Sequence, residues 1–80
     1  MKYASVRVVD SGGRPRSGEK VSVYVYQFAA GGMIGPEYTN SDGLADFTLD
    51  IDEYAEIAIY VAGSERVRRD RVRASYTVIV

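Results

Sequence analysis

The sequence predicts an all-β protein: a single antiparallel Greek-key β-sandwich of six to seven short strands spanning residues 1–80. Three observations lead to this prediction. Valine and isoleucine together number 16 against 2 leucines, a composition typical of strands. Several segments alternate apolar and polar residues with a period of two. No segment of useful length repeats its apolar residues with the period of about 3.6 residues that is typical of a helix. Turn signals rich in Gly, Asp and Asn separate these segments.

The N-terminal half contains two strands with clear faces. Residues 2–9 alternate, and the Asp-Ser-Gly-Gly run at residues 10–13 predicts a turn, because Asp and Ser side chains bond their own backbone. Residues 21–28 form a strand that is apolar on both faces. Residues 29–36 contain three glycines and a proline and predict a loop. The predicted core-facing side chains of the two strands are Ala4, Val6, Val8, Val21, Val23 and Val25.

The C-terminal half contains the remaining strands. A short strand is predicted at residues 37–39, with a turn at residues 40–43. Two alternating strands follow, whose predicted core-facing side chains are Ala45, Phe47, Leu49, Ile51, Ile57, Ile59 and Val61. Residues 66–73 carry five arginines and predict a charged edge hairpin, where charge discourages aggregation; phosphate or polyanion binding by the arginines is the alternative. Residues 76–80 form the last strand.

Aromatic side chains opposite the valines of the second strand form a candidate interaction face. Rigid amphipathic rings are enriched at binding surfaces because they lose little entropy on binding. The candidate contact residues are Tyr24, Tyr26, Phe28 and Tyr60 on strands, with Met33 and Ile34 in the predicted loop. A structural interpretation stays open, in which the loop covers the rings or the rings pack across strands.

The composition excludes most catalytic and metal chemistry. The chain has no histidine and no cysteine, which removes zinc sites, imidazole bases and Ser-His-Asp nucleophiles. Six carboxylates crowd into residues 42–56 and can offer partial oxygen shells for Ca²⁺, without the spacing of an EF-hand. We therefore assign no catalytic, cofactor or metal residue and expect that the protein is not an enzyme.

Charge is divided into blocks along the chain. Residues 1–20 carry a net +3, residues 21–65 a net −8 and residues 66–80 a net +4, giving −1 overall. Two interpretations stay open: cross-strand pairing of the basic ends with the acidic middle, or charged faces that steer protein association. The low pI and the lack of aromatics among the arginines predict no nucleic-acid binding. No apolar run is long enough for membrane insertion.

Four sequence pieces together resemble a known family of modules. They read VVDSGGRP at residues 8–15, GEKVSV at 18–23, TNSDGLADFTL at 39–49, and a strand at 57–61 preceded by Tyr54. In order and spacing they resemble the carboxypeptidase regulatory-like, or transthyretin-like (prealbumin-like), β-sandwich modules over residues 4–63. Invasin-type bacterial immunoglobulin-like domains share much of this pattern and are the alternative resemblance.

The resemblance implies a seven-stranded Greek-key sandwich that is usually non-catalytic, with Phe47 and Tyr54 as core or corner aromatics. The fold's hydroxyisourate hydrolases and intradiol dioxygenases use histidines, which this chain lacks. The isopeptide bond of collagen-adhesin modules needs an asparagine in the last strand, whereas Asn40 stands in a predicted turn. The resemblance implies an extracellular or cell-surface location for an excised module. A free-standing gene product would instead be cytoplasmic.

These observations predict a non-enzymatic structural or protein-interaction module, self-associating or part of a larger surface protein. Its partner is expected to be a protein or a second copy. The alternative is a carbohydrate- or small-ligand-binding module that uses the tyrosines as stacking platforms, with calcium at the acidic turns as an aid.

Overall fold

A computed structural model describes residues 2–27 and 31–80 of the chain. These residues form seven strands and no helix, which confirms the all-β prediction. The strands are β1 (Lys2–Val9), β2 (Lys20–Tyr26), β3 (Gly32–Tyr38), β4 (Leu44–Leu49), β5 (Glu56–Val61), β6 (Ser64–Arg71) and β7 (Ser75–Ile79). The described part of the chain therefore contains no helix with the length and apolar character needed to span a membrane.

The strands form two stacked sheets. The three-stranded sheet has the order β4-β1-β7, and the four-stranded sheet has the order β3-β2-β5-β6. Only the connections from β2 to β3 and from β5 to β6 join neighbours in one sheet; the others cross between sheets, as in a Greek-key β-sandwich. All neighbouring strands are antiparallel except β1 and β7, which run parallel.

The core lies between the sheets and consists mainly of β-branched side chains. Every core-facing residue predicted from alternation is buried except Ile51, which is half-buried and packs against the core. Burying each Val or Ile stabilises the fold by about 1.5–3 kcal/mol. The largest side chains with under 2 % exposure are Leu49, Ile57, Ile59, Val6, Val8, Val21, Val23 and Val61.

Both predicted turns are confirmed, and they share one hydrogen-bond pattern. Asp10 Oδ1 accepts hydrogen bonds from the backbone N–H groups of Gly12 and Arg14, at 2.8 and 3.0 Å. Asn40 Oδ1 likewise accepts from the backbone N–H groups two and four residues ahead, at 2.9 and 3.0 Å. Each side chain thus satisfies two donors of its own turn.

The prediction of a loop at residues 29–36 is wrong for the part that the structure describes. Gly32–Tyr38 forms β3, an edge strand paired with β2. The pairing shifts register between Val21 and Val23, and the bulge accommodates the Gly-Pro pair of β3. An edge strand tolerates proline because its outer side needs no donors. Residues 28–30 lie outside the described residues.

Candidate functional site

The outer side of the four-stranded sheet carries a group of tyrosines, which we call the tyrosine face: Tyr24, Tyr26 and Tyr60. Tyr24 and Tyr26 are two residues apart on β2, so pleating places both rings on one side. Their ring centroids lie 4.8 Å apart with planes tilted by 52°, an arrangement in the favourable range for aromatic pairs. Tyr60 reaches the same side from β5, where its register partner is Ser22. All three tyrosines are half-buried.

The tyrosine face covers a small residue of the sheet. Ala58 on β5 lies in register with Tyr24 and, by alternation, points outward together with Tyr60. Its exposed fraction is nevertheless 0 %. A methyl group on the outer side cannot reach the core, so neighbouring side chains on the outer face must cover it. The rings therefore pack onto the sheet.

An arginine from β6 packs on this face. Arg69 Cζ lies 4.4 Å from the ring centroid of Tyr26, within the range of a cation–π interaction. Arg69 Nε donates a 2.8 Å hydrogen bond to Glu56 Oε1, and Glu56 is the register partner of Tyr26. The two side chains are 57 % and 35 % exposed, so their ion pair contributes at most about 1 kcal/mol. Its main consequence is to hold the guanidinium over the ring.

The third tyrosine is held by a carboxylate of the next strand. Tyr60 Oη donates a 3.4 Å hydrogen bond to Glu65 Oε2, and the two residues are register partners on β5 and β6. The pKa of Tyr60 lies above its ordinary value of 10.0, first because of desolvation and then because of the negative charge of Glu65 and the nearby Tyr26. Tyr60 therefore remains a neutral phenol at physiological pH.

A cleft of about 470 Å³ opens at one end of the tyrosine face. Its walls include Tyr26, Tyr54, Glu56 and Arg69. Tyr54 is 74 % exposed, and Arg71 Cζ lies 5.9 Å from its ring centroid. The expectation that Tyr54 is a core or corner aromatic is therefore wrong, because its ring lies largely in solvent. The volume falls within the range of small-molecule sites, roughly 300–1,000 Å³.

The structure brings the three predicted tyrosines together and divides the other predicted contact residues. Met33 joins the tyrosine face, because it is the register partner of Tyr24 and is 54 % exposed. Ile34 is instead the register partner of Val23 and packs against the core. Strand alternation in β3 thus places Met33 and Ile34 on opposite faces. Phe28 lies outside the described residues.

Sequence reasoning missed the charged neighbours of the tyrosines. The arginine run was a signal that one of its members could reach an aromatic ring. Which arginine does so depends on the β5–β6 pairing, which shifts register on both sides of Ile59. These shifts place Arg69 beside Glu56, and alternation alone does not reveal them.

The acidic turns do not assemble a metal site in the part of the chain that the structure describes. No group of three or more acidic side chains there is placed to hold a metal ion. Asp10 and Asn40 use their side-chain oxygens on their own turns, and Asp52 Oδ1 accepts a 2.9 Å hydrogen bond from the backbone N–H of Tyr54. These oxygens are therefore engaged with backbone donors.

Comparison with known proteins adds no relative. A scan against protein-family models finds no match for this chain. A search of curated proteins also finds no match.

Proposed function

We propose that the protein is a non-enzymatic β-sandwich module that binds another protein through the tyrosine face. One observation carries the proposal: three tyrosines, a methionine and a stacked arginine converge on one outward surface of the sheet. Tyr, Met and Arg are among the side chains enriched at protein interfaces, and Tyr and Arg are enriched at binding hot spots.

The arrangement of these side chains also favours binding. The Tyr24 and Tyr26 rings contact each other, and Arg69 lies over the second ring. Side chains that already hold one geometry lose less entropy when a partner docks, which increases affinity without new contacts. Met33 at the margin of the face supplies an adaptable apolar contact.

The strand order supports the prealbumin-like resemblance within this proposal. An immunoglobulin constant-type sandwich places its first, second, fifth and fourth strands in one sheet. Here β1 pairs with β4 and β7, and β2 pairs with β3 and β5. Between the two families that the sequence resembles, this order favours prealbumin-like modules, which are usually non-catalytic.

The test compares partner binding by the protein and by the double variant Tyr24→Ser/Tyr26→Ser. Proteins captured from an extract of the source cells are identified, and the affinity for each is then measured by titration calorimetry. We expect the double variant to bind the partner at least tenfold more weakly, since each hot-spot residue is worth about 2 kcal/mol or more. Sedimentation of the isolated protein tests in parallel whether the partner is a second copy.

Matched variants separate a lost interface from a lost fold. Tyr3→Ser is the control, because Tyr3 is 72 % exposed on β1 in the other sheet. Met33→Lys places a charge at an exposed margin of the face without touching the core and should also weaken binding. If Tyr24→Ser/Tyr26→Ser and Met33→Lys bind every captured protein as tightly as Tyr3→Ser does, the proposal is wrong.

A second candidate function is binding of a carbohydrate or small ligand in the cleft. The observation that favours it is that three tyrosines, Tyr24, Tyr26 and Tyr54, line the cleft with a carboxylate and a guanidinium beside them. Aromatic rings provide stacking surfaces, and Glu56 and Arg69 can hydrogen-bond hydroxyl groups.

A glycan array and a thermal-shift screen with sugars, with and without Ca²⁺, test this candidate. Tyr54→Ser should abolish any signal, whereas Tyr38→Ser should leave it unchanged, because Tyr38 is also largely exposed but does not line the cleft. An unshifted melting temperature with every sugar would remove this candidate and leave the first untouched.

A further inference from the structure

The two sheets are unequal in width, which leaves one strand position open. Because β3 contacts β4, these two edges lie on the same side of the sandwich. The edges formed by β6 and β7 therefore lie on the opposite side, where the larger sheet extends beyond the smaller one. Asp70 on β6 supports this geometry: its register partner Ile57 is buried, yet Asp70 itself is exposed. We call the free side of β7 the β7 edge.

The β7 edge presents unpaired backbone groups. The amide of Ser5 donates to the carbonyl of Ala74, at 3.0 Å, and the amide of Val80 donates to the carbonyl of Val9, at 2.9 Å. In a parallel ladder, alternate residues of a strand direct their backbone N–H and C=O groups toward the same neighbouring strand. These two bonds therefore show that the even-numbered residues from 74 to 80 direct their backbone groups toward β1. No strand of the described residues pairs with the other side. The residues whose backbone N–H and C=O groups point away from β1 are Ser75, Thr77 and Ile79.

The other three sheet edges carry features that discourage strand addition. β3 contains Pro36 and a register shift, and β6 carries four arginines and two acidic residues. β4 lies against β3, and its Asp46 accepts a 2.7 Å hydrogen bond from Ser5 Oγ. β7 has no charged residue and no proline. Natural sheets use such charges, prolines and bulges to prevent edge pairing, so β7 is the edge left open.

The side chains around the β7 edge are mainly basic. Arg7 lies beside β7 on the neighbouring strand, Arg73 precedes β7, and Arg66 and Arg68 lie on the protruding β6. None of these arginines belongs to an ion pair within residues 2–27 and 31–80. Even with Asp70 included, the group keeps a net positive charge. This edge therefore favours a negatively charged partner.

We propose that the β7 edge is a β-augmentation site for an acidic extended segment of a partner protein, with apolar residues at alternate positions. The backbone of this segment pairs with the outward groups of Ser75, Thr77 and Ile79. The apolar side chains of the segment lie on the core-facing side of the sheet, beside Tyr76 and Val78, and pack over β6. Its carboxylates face the arginines. A second copy fits less well, because its own β6 would occupy the same space beneath the added strand.

The test uses a fluorescein-labelled peptide of about nine residues in which Val alternates with Asp and Thr, since β-augmentation needs a strand of this length. Fluorescence anisotropy gives its affinity, and an amide-resolved NMR titration locates its contacts. We expect saturable binding that weakens as salt rises, with amide shifts centred on Ser75, Thr77 and Ile79. A peptide with Lys in place of Asp, and a scrambled acidic peptide, should bind at least tenfold more weakly.

Two proline variants provide a matched comparison of sheet edges. Thr77→Pro removes an outward N–H that makes no bond to β1, so the fold should persist while peptide binding falls about tenfold. Thr48→Pro does the same at the opposite edge, on β4. The Val8 N–H donates to the Gly43 C=O at 2.8 Å, so by alternation the odd-numbered residues of β4 bond to β1 and the Thr48 N–H points outward. Thr48→Pro should leave binding unchanged. Thr77→Val keeps the N–H and should also bind normally.

Several results would overturn the proposal. No binding of the acidic peptide at millimolar concentration would do so, as would equal binding of the Lys peptide. Equal loss in Thr77→Pro and Thr48→Pro would exclude the β7 edge as the site. A dimer in sedimentation that Thr77→Pro dissolves would assign the edge to a second copy instead. Tyr24→Ser/Tyr26→Ser should not affect the peptide, so this test is independent of the tyrosine face.

Discussion

At the scale of single residues, Gly43 shows how tightly the first strand and the 40–43 turn are joined. Its φ is +76°, in the left-handed region that side chains disfavour. A Cβ there would lie 2.6 Å from the carbonyl oxygen of Val8 and 3.2 Å from the backbone nitrogen of Arg16. Both contacts are backbone atoms already hydrogen-bonded to each other, so neither can move without breaking a bond. Only glycine fits this position.

Gly43→Ala should lower the free energy of unfolding by about 2–4 kcal/mol, from backbone strain together with the clash. Gly63→Ala is the matched control. Gly63 has a similar φ of +83° but nothing within 4 Å of its added Cβ, so its cost should be about 1–2 kcal/mol. Urea unfolding of both variants measures the difference. Equal losses would mean that the close approach to Val8 contributes nothing.

At the scale of elements, the β5–β6 hairpin determines the electrostatics of the tyrosine face. It places Glu65 beside Tyr60 and Arg69 beside Glu56. The acidic middle of the chain thus meets the basic C-terminal segment across one strand pair, as one interpretation of the charge blocks predicts. The other two ion pairs of the described residues, Arg14–Asp10 and Arg16–Glu19, are local in sequence.

The pKa of Tyr60 is a measurable consequence of this hairpin. In the folded protein Tyr60 should ionise above its ordinary value of 10.0. Because the unfolded chain loses this proton first, the contribution of Tyr60 to stability is complete below pH 10 and is lost as pH rises through the folded pKa. Glu65→Gln should lower the pKa only in part, because desolvation is the larger cause.

Phenolate absorbance during an alkaline titration measures this pKa, and the difference from Tyr60→Phe isolates the signal of Tyr60. Glu19→Gln, which removes a carboxylate on the 10–19 connection, should leave the titration of Tyr60 unchanged. An unaltered titration in Glu65→Gln would show that the 3.4 Å contact has no electrostatic effect on Tyr60.

At the scale of the whole molecule, stability depends on one small core between two sheets. The chain has 80 residues and no cysteine, so no disulfide supports the core. A domain of this size has a free energy of unfolding of only about 4–12 kcal/mol. Its radius of gyration is 12.0 Å, as expected for a folded chain of this length.

Leu49→Ala should remove about 2–5 kcal/mol of this stability, because Leu49 is fully buried and no strand can move to fill the cavity without losing its pairing. Ile79→Thr is the control. It keeps a β-branched side chain at a position that is 62 % exposed, so its effect should stay below about 0.5 kcal/mol. Thermal unfolding followed by circular dichroism measures both. A small loss in Leu49→Ala would mean that the core repacks around the missing side chain.

Alternation allowed the core to be predicted residue by residue, because each strand that contributes to the core has one buried face and a period of two. The same rule correctly directed Tyr24, Tyr26 and Tyr60 outward. It failed for β3, where two glycines and a proline obscured an edge strand that is stabilised by pairing with β2 and not by its own propensity. The sequence therefore predicts a loop for both Met33 and Ile34, whereas the strand places them on opposite faces.

The sequence by itself determined the all-β class, the core faces and both Asp/Asn turns, since these depend on local periodicity and on side chains that bond their own backbone. Only the tertiary structure decided which strands are neighbours, and with them the contact of Arg69 with Tyr26 and the open edge at β7. The physical reason is that pairing and register arise between segments distant in the chain. Bulges shift that register by one residue, and no local pattern records the shift.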